Sequence, residues 1–297
     1  MVWYDFPFVM KLRLPHNRAI GVSMVALAAG LAREAAEHLA GLGTAPVEPV
    51  HRARVALKRA RSTLRLLEKA GADWALVPRY RLAQLAGMMS AAREMAVADA
   101  LTKNLARRLE GPEREVALLL AAKRGRLVPP EAETIRLSLL KEAQELATAP
   151  VPEITPGQLR HLLRQSLARA DHRYRDAVLL ATLDAFHEWR KAVIVLRDQS
   201  ALAAARWPQG AGCAFPLLFR LARRLGHGGD LALLEHRLER LRVPPALDSA
   251  RREIIRRLHL ERELVIAQAM RRWLRLEKQL TYLLSERDAY FATPINR

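Results

Sequence analysis

The feature that most restricts what this chain can fold into is a duplication. His51 falls on His187, and the same shift of 136 residues pairs Arg54 with Arg190, Ala56 with Ala192 and Arg61 with Arg197. Without a gap the register continues: Leu82 meets Leu218, Leu85 meets Leu221, Ala86 meets Ala222, Glu94 meets Asp230 and Leu105 meets Leu241. Two Leu/Ala-rich segments aligned by chance match many leucines. They seldom match a histidine, two arginines and an acid in one register. The duplication demands a fold assembled from two similar units, and the proline-rich stretch from Pro129 to Pro156 is the joint between them.

Each unit reads as helix. Apolar residues recur at spacings of three and four, with no sustained alternation of period two. Ala, Leu and Arg dominate, and all three lose little side-chain freedom in a helix. Breaks are expected at Gly41 to Pro49, Gly71, Gly111-Pro112, Pro129-Pro130, Pro150 to Pro156, Gly210 to Gly212, Gly226 to Gly229 and Pro244-Pro245. Thr155 is placed to cap a helix whose first residue is Pro156. The expectation is an all-α protein of about ten helices. Residues 1–15 read as an N-terminal extension, aromatic at Trp3, Tyr4, Phe6 and Phe8. Residues 16–297 read as one domain in two halves, 16–150 and 151–297. The apolar run Ile20 to Ala32 is too short to span a bilayer. Its helical pattern runs on through Arg33, Glu34 and Glu37, which argues against a cleaved leader.

The segment from His51 to Leu67 carries the chemistry. Val50, Ala53, Leu57, Ala60, Leu64 and Leu67 form the stripe expected to be buried. His51, Arg54, Lys58, Arg61 and Arg65 repeat at the same spacing on another face, with Arg52 and Arg59 beside them. No acid occurs between Glu48 and Glu68. A solvated helix ordinarily mixes signs so that neighbouring turns attract; like charges stacked along one face cost stability unless an anion neutralises them. The whole chain shares the imbalance, with 49 Lys and Arg against 31 Asp and Glu, a formal charge of +18. That excess fits nucleic acid, a membrane surface or a phosphate polymer. Arginine suits phosphate because its planar fork donates two parallel hydrogen bonds. The competing reading is a surface helix whose arginines pair with acids on neighbouring helices. If the ligand reading holds, changing Arg54, Lys58 and Arg61 together to Ala abolishes binding and leaves the fold intact.

The second copy carries His187, Arg190, Lys191 and Arg197, but Ile194 and Val195 stand where the first has Lys58 and Arg59. Glu188 and Asp198 add negative charge. This helix is expected to bind less well or to be more buried.

The pattern H-x-x-R-V-x-x-K-R-x-R-S at His51 to Ser62 resembles the signature of CHAD domains, the conserved-histidine α-helical domains. His187 to Arg197 is similar to their second signature, with Ile194 and Val195 as departures that put this helix's share of binding in doubt. Ala92-Arg93-Glu94 to Val97, and Leu225-Gly226 to Asp230-Leu231, resemble the family's second repeated element. The resemblance covers the chain from about Leu14 onward. It implies two pseudo-symmetric four-helix bundles around a basic channel, inorganic polyphosphate as partner, and association with polyphosphate granules in the cytoplasm. The ligand set is then His51, Arg54, Lys58, Arg59, Arg61, Arg65, His187, Arg190, Lys191 and Arg197. Arg52, Arg93, Arg160, Arg164, Arg220 and Arg224 form a second tier. For the basic stretch from Arg251 to Lys278 an ion-paired, solvated face is expected.

No enzyme is expected. The sequence has no Walker loop, H-E-x-x-H or G-x-S-x-G, and neither a cofactor nor a protein-built metal site is predicted. The single cysteine, Cys213, excludes an internal disulfide. The alternative function is nonspecific binding to a nucleic-acid backbone. The basic helix has no aromatic platform for bases and no Asn or Gln for base edges.

Overall fold

The computed structural model describes residues 14–15, 17–40, 47–122 and 131–285. Among these are ten α-helices and no strand. They are α1 (Ile20–Leu39), α2 (Val47–Lys69), α3 (Leu76–Met88), α4 (Ser90–Arg108), α5 (Gly111–Ala122), α6 (Ala132–Ala147), α7 (Pro156–Leu180), α8 (Leu183–Ala203), α9 (Cys213–Glu239) and α10 (Asp248–Ser285). The aromatic N-terminal segment and the Pro129-Pro130 break lie outside the described residues.

The duplication is written in the helix boundaries. Shifted by 136, the start of α1 falls on the start of α7, and the start of α2 on the start of α8. The α3–α4 pair then spans α9, and the α5–α6 pair spans α10. One expected break comes out otherwise. Gly226 to Gly229 do not end a helix; α9 runs straight through them. In the first half the corresponding helix does break, at Met89. Gly111, with φ 54°, begins α5 after α4 has already stopped at Arg108. The Thr155 cap is present in full: its hydroxyl accepts from the Gln158 amide, and the Gln158 side chain accepts from the Thr155 amide.

In the first half α1 packs on α2 and α6, and α3 lies against the same two helices. In the second, α7 and α9 each pack on α8 and α10. The halves meet where α2 touches α7 and α8, and where α4 and α5 reach α9 and α10. One core runs through both halves. A smaller one joins Val116 and Leu120 of α5 to Leu231, Leu234 and Leu238 of α9 and to Ile254 and Leu258 of α10.

All six residues of the expected α2 stripe are buried, as are Ala56, Leu66, Ser62 and Thr63. One face cannot account for this. α2 is the central helix, covered by α1 on one side and by α7 and α8 on another, so its cations must share what surface remains. The second half is filled by aromatics instead. Trp189 and Trp273 are fully buried with ring centroids 6.2 Å apart, and Tyr174 stands 5.2 Å from Trp189. Where α1 passes the α6–α7 connection, only glycine fits: a Cβ on Gly21 would stand 1.9 Å from the Pro152 carbonyl oxygen.

Candidate anion-binding site

Three groups of cations gather around α2 and α8. The first bridges the two helices. Lys58 is exposed on α2, and its charge acts on His187 of α8. Burial first, then Lys191, Arg190 and Lys58, hold the His187 imidazole below its usual range, against an opposing pull from Glu188. Lys191 itself pairs with Glu188 at 2.7 Å. His51 is half-buried one turn before Arg54.

The second group is the duplicated arginine pair. Arg54 Nη1 donates to the Ala86 carbonyl and, at 3.0 Å, to Ser90 Oγ. Those residues flank the break between α3 and α4, so Arg54 caps the end of α3 as well as lying on the cationic face. Arg190 packs against the glycines of α9: a Cβ on Gly226 would stand 3.4 Å from its Nη2, and one on Gly229 3.7 Å from its Nη1. Arg54 therefore serves the fold as well as the cationic face, and its removal is expected to cost stability.

The third group brings five cations together from three helices. Arg61, Arg65 and Lys69 of α2 meet Arg79 of α3 and Arg169 of α7. Burial, together with the charges of Arg169, Arg79 and Arg61, lowers the Arg65 pKa to about 10. Arg61 is lowered by burial and by Arg79; Lys69 is lowered by burial, Arg169 and Arg65. Glu68 is the carboxylate that opposes this, and Arg79 already engages it at 2.7 and 3.3 Å. A bound anion would oppose the like-charge part of each of these shifts. Lys69, Arg79 and Arg169 escape sequence reasoning: Lys69 lies at the end of α2 beyond Glu68, and Arg79 and Arg169 lie on other helices. Only packing brings Arg79 and Arg169 to Arg65.

The remaining sequence candidates scatter. Arg59 is interior, 6 % exposed. Burial lowers its pKa, and the charge of Asp198 on α8 is the main force opposing that. Asp198, 3 % exposed, also accepts from Arg197 at 2.6 and 2.9 Å. Val195 thus stands where a second Arg59 would be, and Asp198 where a second Ser62 would be; Ser62 Oγ approaches the Val195 carbonyl at 3.5 Å. Arg59 faces α8 because the charged edge of α2 turns into that contact. Arg160 is buried as well, at 8 %. Arg52 is exposed and paired with Glu48 at 2.8 Å. Arg164 and Arg220 are exposed, and Arg224 is half-buried. The Arg93 side chain lies outside the described residues.

No group of three or more His, Cys, Asp or Glu is placed to hold a metal ion among the described residues. None of the described helices is long and apolar enough to cross a membrane. What the arrangement can do chemically is present guanidinium and ammonium donors to a string of anionic oxygens. A family model described as the CHAD domain matches residues 26–239 of the chain. No curated protein matches it.

Proposed function

Because the chain belongs to the CHAD domain family, we propose that it binds inorganic polyphosphate along α2 and α8, in a basic channel between two pseudo-symmetric four-helix bundles, and catalyses no reaction on it. The observation that carries this reading is the meeting of Arg61, Arg65, Lys69, Arg79 and Arg169 beside Glu68, which Arg79 already engages. Such a cluster is costly in a free protein and becomes favourable when a dense anion supplies the missing charge. Guanidinium forks match phosphate oxygens two at a time. The path begins at Lys58, His187 and Arg190 and ends at the Arg65 cluster, so a linear ligand meets a cation at nearly every turn of α2.

The biological setting proposed is the cytoplasm, at polyphosphate granules, where binding by several cations at once retains the protein. The main chain of a nucleic acid offers similar oxygens at wider spacing. Competition between long-chain polyphosphate, duplex DNA and single-stranded RNA across a salt series separates the two partners. Polyphosphate should win at near-physiological salt, with an affinity that falls steeply as salt rises because bound counterions are released. If the three ligands bind alike and fade together, the protein is a general polycation and the polyphosphate reading is wrong.

A further inference from the structure

The C-terminal half of α10 departs from the pattern of its N-terminal half. There, as the sequence suggests, arginines are ion-paired: Arg251 and Arg252 with Asp248, Arg256 and Arg257 with Glu253, Arg262 with Glu235. Arg271, Arg272 and Arg275 are exposed and form no ion pair among the described residues. Trp273 between them is fully buried, and at about 100° per residue Arg271 and Arg275 stand on the outer side of the helix. On α9, Arg220 and Arg223 are exposed and Arg224 is half-buried. The charges of Arg272 and Arg223 add to burial in lowering the Arg224 pKa. The surface is therefore made of arginines from two neighbouring helices, with no acid paired to Arg271, Arg272 or Arg275 among the described residues.

This surface is not part of the duplication. On α9, Arg223 and Arg224 correspond to Gly87 and Met88 in the first half. Nor is it the α2–α8 site. Gly226 and Gly229 of α9 meet Arg190 of α8, whereas Gly228 meets Val265 and Ile266 of α10. The two cationic surfaces adjoin across the body of α9, roughly 10 Å thick.

We infer that the α9–α10 surface anchors the continuation of the polyphosphate chain held at α2 and α8, so that the protein selects long chains over short ones. The inference rests on the polyphosphate reading of the first site. A short chain fills one surface. A long chain, once bound at α2, brings its next segment to α9–α10 at high effective concentration and gains affinity from both.

The test compares tripolyphosphate with long-chain polyphosphate by calorimetry, using the full chain and an Arg223→Ala/Arg272→Ala/Arg275→Ala variant. A second variant, Arg136→Ala/Arg252→Ala/Arg256→Ala, removes the same charge from ion-paired arginines. The first variant should bind tripolyphosphate within about twofold of the parent and lose at least about tenfold for long chains. Its salt slope should be shallower by up to about three, one for each cation lost. The second variant should behave like the parent. Melting temperature checks the fold, and an Arg→Gln triple variant, which keeps the side-chain length, replaces the Ala variant if that melts lower. If the first variant keeps the parent's long-chain affinity, or loses no more than the second, the extension is wrong and the α2–α8 site stands. If the parent binds neither ligand, the polyphosphate reading itself fails and the extension falls with it.

Discussion

Arg54 donates to Ser90 Oγ at 3.0 Å, while its repeat partner Arg190 lies against Gly226, the residue that occupies the place of Ser90 in the second half. One duplicated arginine thus meets two different backbones. In the first half it caps a helix that has stopped; in the second it rests on one that continues. Both sit on the cationic face, so each joins the fold to the site.

Arg54→Ala should lower stability by about 1–2 kcal/mol, the cost of a lost cap and an unsatisfied carbonyl. Thermal or urea unfolding measures it. Lys58→Ala, at an exposed position, should leave stability within about 0.5 kcal/mol of the parent. Equal losses for the two would mean that Arg54 has no capping role.

Arg61→Gln/Arg65→Gln should reduce polyphosphate affinity by about 100-fold or more, since each of the two charge-assisted contacts contributes about 1.5–3 kcal/mol. The free variant should melt no lower than the parent, because like charges have been removed from a half-buried cluster. Titration calorimetry and a melting curve together check this. Unchanged affinity would move the site away from α2.

Arg59 and Asp198 are a matter of stability and not of ligand. Asp198→Asn leaves a buried guanidinium without its carboxylate and should cost about 3–5 kcal/mol. An Arg59→Met/Asp198→Leu double variant should recover much of the loss, as a double-mutant cycle would show. Polyphosphate affinity of the double variant, measured where it is fully folded, should stay within about threefold of the parent. A large loss there would return Arg59 to the ligand set.

His187 should make binding depend on pH. Its folded pKa lies below the ordinary 6.5, so below that pH the unfolded chain binds the extra proton more readily and the free protein loses stability. A bound polyanion reverses the sign, because phosphate oxygens favour the imidazolium. The rise in melting temperature caused by polyphosphate should therefore be greater at about pH 5.5 than at about pH 7.5. His187→Gln should reduce that difference. An identical difference in the variant would assign the effect to other groups.

The α2 stripe from Val50 to Leu67, the Thr155 cap and the paired starts of α1 with α7 and α2 with α8 were legible in the sequence. Each depends on contacts within a few residues, or on a repeat that preserves those contacts. The basic face was legible for the same reason. Periodicity, however, describes a helix as though one side were buried. α2 is covered on several sides, and that alone decides that Arg59 turns inward to Asp198 while Lys58, its neighbour in the chain, faces solvent. Tertiary packing also decides that Arg79 and Arg169 join Arg65, across separations no local pattern encodes, and that a helix ends near Arg54 but continues through Gly226 to Gly229. Which residues carry charge belongs to the sequence. Which charges are left to face one another without a counterion depends on how the helices cover each other, because burial and proximity set the energy of a charge.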